Sequence, residues 1–467
     1  MSDGQLEPAH GLALRPVGTV SADPRRRRGL LRWHWGLFLV LVAAAFPVQL
    51  GHSLPVIGSP SLIDVAMLGA LWSLLAGLAL RRRIVPAYRA LFVIVAIPVY
   101  VTAVSMMWSQ DLSSTMQTTL SSLFGLVAYA YVVRETVGMS AEDVYRYIRW
   151  FVYLLLVPAV LMLLRVPGFA PHEIGLETTS AEYIGYFSRL SHPFIGRSNN
   201  LATVLAFFVP ILAHRALVTR TRVDRLAALT VIAAVALTQS RGVLLALLVT
   251  VPLLLVSSPD LRHRAWSTLL AIGKTALVAL AVLGLLVWRN PETSEFFSTR
   301  FTAAGVDERT TLLGAGLDLV ETRPLIGYGG GISPIEENGT SGQPAHNTYL
   351  QQAISFGVPL GVLVSLALVA TVPFLFTRRT RMGLVVGYAV LGQLVIFATE
   401  SSYEGTVLRV LFYLSLGLGV ALLHADGKVH GFDLRTTGAT HVIDLSGVNP
   451  TSRQRRTATV AGQTESS

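Results

Sequence analysis

The chain alternates long apolar runs with short, mostly basic segments over most of its length. A helix that crosses a membrane needs about 20 mostly apolar residues, and we identify twelve candidate runs. Residues 224–257 are too many for one span and contain a charge, so we divide them at Gln239-Ser240-Arg241-Gly242. The predicted spans are 33–50, 61–80, 88–107, 116–134, 148–166, 199–217, 224–239, 241–257, 266–288, 349–377, 383–400 and 406–424. The pattern therefore predicts an all-α polytopic membrane protein with about 12 transmembrane helices.

Polar residues gather in two tails and two long loops. Residues 1–32 are predicted to form an N-terminal tail, which stays uncleaved because no small-residue cleavage site follows the first apolar run. A transmembrane domain over 33–424 then carries the long loops 167–198 and 289–348. Residues 425–467 are rich in Thr, Ser, Gly and Arg, and this composition predicts a disordered tail.

The longer loop is predicted to contain short helices and to carry the function, as loops on a rigid scaffold commonly do. Asp307 is a good N-cap for a helix with Arg309 on its first turn. That helix should end near Thr322, because Pro324 disfavours helical conformation at the residue before it. A tight glycine-rich turn is predicted to follow over residues 327–331.

The composition excludes several classes of protein. Hydrophobic residues make up 52% of the chain and charged residues only 14%. Soluble domains contain about 25% charged residues, so the composition excludes a soluble protein. The chain has no cysteine, which excludes a disulfide, a thiol nucleophile and a thiolate metal site. The net charge of +10 comes from basic residues between apolar runs rather than from one soluble domain, so we expect no nucleic-acid partner.

The distribution of basic residues predicts the orientation in the membrane. If the N-terminus is cytoplasmic, 28 of the 37 Lys and Arg residues lie on the cytoplasmic side. This asymmetry predicts that both termini are cytoplasmic and that the loop 289–348 is extracytoplasmic. The other nine basic residues are all arginines on the outer side, where the insertion rule disfavours them, so they become candidates for function. No internal repeat is visible, so an inverted-repeat transporter gains no support.

Two of these arginines are placed where they could bind an anion. Arg241 opens a helix beside Gly242, and a guanidinium at a helix N-terminus makes an anion site. Arg309 lies early in the predicted loop helix. The alternative for Arg241 is an interfacial side chain that reaches lipid head groups. The alternative for Arg309 is a solvated arginine or an ion pair with the adjacent Glu308.

His346 stands just before a predicted span and could act as a general base near neutral pH. Asn347 is a plausible cap of that span, and the alternative for His346 is a hydrogen-bonded interfacial side chain. Glu336 and Glu337 are alternative bases. We expect no metal site, because no second histidine lies at ligand spacing, and no nucleotide site, because the glycine-rich turn lacks the Lys-Ser/Thr ending of a nucleotide loop.

The order of these motifs resembles the O-antigen ligase and polysaccharide polymerase superfamily of bacterial inner-membrane glycosyltransferases. The resemblance covers about residues 195–375. It rests on an asparagine pair at a helix start, Ser-Arg-Gly, a long loop with arginine, Pro-Leu-Ile-Gly-x-Gly, His-Asn-x-Tyr-Leu and a later glycine. These are Asn199-Asn200, Ser240-Arg241-Gly242, Arg309, Pro324–Gly329, His346–Leu350 and Gly357. One departure is Leu313, where the family often has an aromatic residue four positions after the loop arginine.

The resemblance implies a GT-C-like fold and a membrane glycosyltransferase. Such proteins transfer a glycan from a polyprenyl-diphosphate carrier to an acceptor hydroxyl on the outer leaflet, without a nucleotide, metal or cofactor. Arg241 and Arg309 match the family arginines thought to hold the diphosphate, and His346 matches the proposed general base, which predicts inversion. Asn200, Asn347 and Tyr349 are further candidates for substrate binding; capping is the alternative for Asn200.

The partners implied are a polyprenyl-diphosphate-linked glycan, an acceptor that is a glycan, lipid or protein, and the lipids of a bacterial cytoplasmic membrane. The sequence leaves open whether the protein is a ligase or a polymerase, which differ in their acceptor. The alternative of another class is a transporter or flippase of an anionic or lipid-linked solute. It would need charged residues along a path through the spans, which contain almost none away from their ends apart from Lys274 and Arg409.

Overall fold

The described part of the chain is helical. The computed structural model describes residues 62–79, 89–136, 139–164, 198–258, 304–331, 345–377, 380–400 and 406–429, with isolated positions between them. These residues form eleven helices and no β-strand. The helices are α1 (Leu62–Ala79), α2 (Arg89–Ser105), α3 (Leu112–Glu135), α4 (Ala141–Leu163), α5 (Ser198–Thr219), α6 (Arg222–Thr238), α7 (Arg241–Ser257), α8 (Ala304–Thr322), α9 (Thr348–Phe376), α10 (Arg381–Phe397) and α11 (Thr406–Val429).

The predicted polytopic helical architecture is confirmed. Among the described residues, five helices are long and apolar enough to cross a membrane: α3, α4, α5, α9 and residues Val407–Asp426 of α11. Ten predicted spans coincide with helices. Of the other two, 33–50 lies outside the described residues and 266–288 is described at only a few positions, so the count of twelve stays a prediction. The tail 1–32 and the tail beyond Val429 also lie outside the described residues.

The division of the apolar run 224–257 is confirmed in detail. Helix α6 ends at Thr238, and Gln239 adopts the left-handed conformation with φ 54° and ψ 31°. Ser240 is extended and α7 begins at Arg241. The helix is therefore interrupted for two residues, which places Arg241 at a helix N-terminus as predicted.

Helix α10 packs against three other helices, α5, α7 and α9. The most deeply buried candidate spans are α5 and α11, whose apolar windows are 78% and 89% buried. Helices α6, α7 and α9 instead expose large apolar side chains, including Leu229, Leu248 and Leu366. A lipid environment covers such faces at no cost, so their exposure fits a membrane protein.

Helix α9 is broken in its third turn. Pro359 has no N–H, so the carbonyl of Ser355 loses its helical donor. Gly357 is non-helical, with φ 77° and ψ 164°, and the N–H of Val358 donates outside the helix, to Pro324 O at 2.7 Å. The carbonyl of Ile354 is thereby freed as well.

The glycine-rich turn fills this break. The N–H of Tyr328 donates to Ile354 O at 3.0 Å, and the N–H of Gly329 donates to Ser355 O at 2.8 Å. A Cβ on Gly327, which has φ 61°, would lie 2.5 Å from both Gly357 N and Ile354 O, so only glycine permits this approach. The turn prediction is confirmed, and the turn satisfies the backbone groups of the broken helix.

The loop helix α8 differs from its prediction at one end. It ends at Thr322, as predicted, but it begins at Ala304. Asp307 is therefore inside the helix rather than its N-cap, and Arg309 lies in the second turn. An acidic residue near a helix N-terminus is stabilised by the helix dipole without capping it, so the sequence signal for a cap was ambiguous. Leu312 and Leu319 pack α8 against Ile354 and Ala345.

Candidate functional site

The N-termini of α5, α7 and α9 meet the residues that follow α10. Asn199, in the first turn of α5, donates from Nδ2 to Glu400 Oε1 at 2.9 Å. Thr348, the first residue of α9, donates from Oγ1 to Glu400 O at 2.8 Å. Gly242 of α7 packs so closely on Thr399 that a side chain there would collide with its hydroxyl. Helix N-termini carry partial positive charge and amide donors, so their convergence favours an anion.

Glu400 is the residue that connects these elements. It is only 5% exposed, and its Oε2 lies 3.7 Å from His346 Nδ1. Glu400 was not among the predicted site residues, because it is the last residue of the predicted span 383–400. The structure ends α10 at Phe397, so Glu400 belongs to the turn beyond the helix. An acidic residue closing an otherwise uncharged span was the signal that could have identified it.

His346 has an unusual backbone conformation. Its φ is 47°, in the left-handed region that non-glycine residues rarely adopt. Its side chain is 18% exposed, so it can be reached from outside the bundle. Such conformations cluster at functional sites, where surrounding contacts hold them. Asn347 supplies one of those contacts by donating from Nδ2 to Ala398 O at 3.0 Å.

The three candidate substrate-binding residues all make structural contacts. Asn347 caps α9, as predicted, by accepting from Leu350 N at 3.0 Å. Tyr349 donates from its hydroxyl to Leu394 O at 2.8 Å, which ties α9 to α10. Asn200 donates from Nδ2 to Ile195 O at 3.0 Å. Their proposed roles toward substrate stay predictions.

The two candidate arginines stand on different elements. Arg241 is exposed at the first position of α7, beside the Gly242–Thr399 contact. Arg309 lies on α8, and only its backbone is described. Gly316 of α8 lies against Ala345, the neighbour of His346, so the backbone of Arg309 stands two helical turns, about 10 Å, from that contact. The alternative bases Glu336 and Glu337 lie outside the described residues.

Arg409, the charged residue within a predicted span, has a structural setting. It is 2% exposed on α11 and donates from Nη1 to Thr118 O and Ser121 Oγ, both at 2.9 Å. Its Nε donates to Tyr403 O at 3.1 Å, and its guanidinium lies over the Tyr403 ring. These bonds fasten α11 to α3, which explains why a charge is tolerated at this depth.

In the part of the chain that the structure describes, no group of three or more His, Asp or Glu side chains could hold a metal ion. Metal independence itself stays a prediction.

No curated protein matches the chain significantly. Residues 226–365 match the family model described as O-Antigen ligase. Arg241, Arg309 and His346 fall within the matched segment, and Glu400 lies beyond it. The match confirms the resemblance of this segment to the O-antigen ligase and polysaccharide polymerase superfamily, and it supports glycan transfer of that general kind.

Proposed function

We propose that this protein transfers a glycan from a polyprenyl-diphosphate carrier to an acceptor hydroxyl at the outer face of a bacterial cytoplasmic membrane. The acceptor is a glycan, a lipid or a protein, and the reaction uses no metal or other cofactor. Arg241 and Arg309 bind the diphosphate, and His346 is the general base. The contact between His346 and Glu400, at the meeting point of three helix N-termini, is the observation that carries the proposal.

The reaction forms one bond and breaks one. The acceptor oxygen attacks the anomeric carbon while the bond from that carbon to the diphosphate oxygen breaks, and His346 takes the hydroxyl proton. Attack from the face opposite the leaving group inverts the anomeric configuration. A diphosphate gains negative charge as it leaves, and arginine suits it because guanidinium stays charged and binds phosphate oxygens in pairs.

Glu400 is assigned a supporting role on the basis of its geometry. When His346 takes a proton it becomes a cation, and a carboxylate 3.7 Å away stabilises that cation. The distance is too long for a hydrogen bond, but catalytic contacts often shorten only when substrate is bound. Asn199 holds the other carboxylate oxygen, so Glu400 positions His346 and does not itself touch the substrate.

The location at the outer face rests on the distribution of charge. The helix ends that carry Asn199, Arg241, His346 and Glu400 share one end of the bundle. The positive-inside rule assigns that end to the extracytoplasmic side, since 28 of the 37 Lys and Arg residues are predicted to lie on the other side.

The proposal is tested with purified protein, a polyprenyl-diphosphate glycan and a panel of glycan, lipid and protein acceptors. His346→Ala should lower kcat by about 10²- to 10⁴-fold. Arg241→Ala and Arg309→Ala should each lower kcat/KM by about 10- to 1000-fold. Arg146→Ala is the matched control, because this arginine is exposed and pairs only weakly with Asp143 at 3.8 Å.

Two further measurements complete the test. Transfer should persist with a metal chelator present, and the product linkage should have the opposite anomeric configuration to the donor. Transfer at the wild-type rate by His346→Ala would remove the base assignment. No transfer with any donor, together with solute uptake into vesicles, would support a transporter instead.

A further inference from the structure

Two serine hydroxyls are buried at the helix N-termini of the candidate site. Ser198, the first residue of α5, is 0% exposed, and Ser240, just before α7, is 1% exposed. Within the described part of the chain neither Oγ has a hydrogen-bond partner. A hydroxyl withdrawn from water without a partner is costly, so two of them at one end of the bundle call for an explanation.

Ser240 occupies an N-cap position but does not cap its helix. Its backbone is extended, with φ −80° and ψ 109°, yet its side chain accepts no hydrogen bond from the first turn of α7. Thr221 and Thr380 occupy the same position before α6 and α10, and they accept from Asp224 N and Gly383 N at 3.2 and 2.9 Å. The hydroxyl of Ser240 is therefore not used by its own helix.

Each serine adjoins a group already assigned to the site. Ser240 precedes Arg241, and Ser198 precedes Asn199, which holds Glu400. Both stand at the positive ends of helices longer than four turns. A buried hydroxyl donor beside such a helix end suits an acceptor that carries negative charge, above all a phosphate oxygen.

We propose that Ser198 and Ser240 donate hydrogen bonds to phosphate oxygens of the departing diphosphate, and so act as binding residues beside Arg241. The inference rests on the proposed function and adds two residues to it. Hydroxyl donors strengthen their bonds as negative charge grows on the leaving oxygens, without adding charge to the site at rest. Their burial keeps water from competing for the same oxygens.

The test measures binding of a glycan-free polyprenyl diphosphate to the purified protein by calorimetry. Ser240→Ala and Ser198→Ala should each raise Kd by about 10- to 100-fold. Ser240→Cys replaces the hydroxyl by a slightly larger thiol, which is a weak donor, so it should also raise Kd while its melting temperature stays close to that of the wild type.

Ser415→Ala is the matched control. Ser415 is 2% exposed on α11, and its Oγ likewise lacks a partner within the described residues. It lines a small internal cavity with Phe412 and stands at no helix end. This variant should bind the diphosphate as the wild type does.

The outcomes separate this inference from the proposed function. Loss of binding in Arg241→Ala with wild-type binding in Ser240→Ala and Ser240→Cys would overturn the serine roles and leave the function standing. Wild-type binding in all three variants would overturn both. If Ser415→Ala weakened binding as much as Ser240→Ala, the effect would be a general loss of packing, and the inference would fail.

Discussion

Replacing Gly327 by alanine should disconnect the glycine-rich turn from the broken helix α9. Gly327 has φ 61°, and a Cβ there would lie 2.5 Å from Gly357 N and Ile354 O and 2.7 Å from Phe356 N. All three atoms belong to the backbone of one helix, so no side-chain rotation relieves the contact. The turn must move away, or the helix must open further.

The expected loss of stability follows from the contacts that would be broken. An alanine in the left-handed region costs about 1–2 kcal/mol. Three backbone hydrogen bonds hold the turn to the break: Tyr328 N to Ile354 O, Gly329 N to Ser355 O, and Val358 N to Pro324 O. Each contributes about 0.5–1.5 kcal/mol, so the combined loss is roughly 3–6 kcal/mol.

Thermal unfolding of the purified protein measures the loss of stability in Gly327→Ala, with Gly314→Ala as the matched control. Gly314 lies in α8, and a Cβ there would meet nothing within 4 Å. Alanine in a helix interior is favoured over glycine by about 0.5–1 kcal/mol, so the control should melt slightly higher and Gly327→Ala much lower. A melting temperature of Gly327→Ala close to the wild type would refute the account of the turn. Transfer activity should fall with stability, because Tyr328 and Ala345 share one packed cluster.

Two further predictions concern buried charges. Asp224→Asn should lower the free energy of unfolding by about 3 kcal/mol, because its side chain is 3% exposed and pairs with Arg149. Denaturation measures this, with Asp143→Asn as the control, since the side chain of Asp143 is 25% exposed and lies 3.8 Å from Arg146. Equal effects of the two variants would contradict the prediction. Arg409→Lys should lower the melting temperature by several degrees. The single ammonium group of lysine cannot replace the donors on both Nε and Nη1, which bond to Tyr403 O and Thr118 O. An unchanged melting temperature would show that those hydrogen bonds contribute little.

The helices were largely predictable because each depends on local pattern. Helix α7 begins and ends where the apolar run 241–257 does, since a charged or polar group at either end cannot enter the hydrocarbon core. The end of α8 at Thr322 followed from Pro324 alone. Its start could not be predicted in the same way, because an aspartate is compatible with both the cap and the first turns of a helix.

The site was only partly predictable, because half of it depends on tertiary contacts. His346 and Arg241 became candidates because of their positions at the starts of apolar runs. Glu400 contacts His346 because α9 and α10 pack side by side. The C-terminal end of α10 therefore lies beside the N-terminal end of α9. The unused hydroxyl of Ser240 could not be predicted at all, since serine at that position normally caps the helix.

The electrostatics of the site lead to a last prediction, which concerns Glu400→Gln. Three helix N-termini contribute about +0.5 charge each, while the C-terminal end of α10 contributes about −0.5 and Glu400 about −1, so these groups nearly balance. Under the proposed function, the net positive charge that binds a diphosphate then comes from Arg241 and Arg309. Glutamine keeps an oxygen that can accept from Asn199, but it removes the negative charge beside His346. Product diphosphate should therefore bind more tightly, while kcat falls by about 10- to 100-fold because the histidine cation loses its partner.

Titration of the glycan-free diphosphate and initial rates separate the two effects. A parallel loss of binding and turnover would mean that Glu400 only holds the helices together, and that the charge balance plays no part.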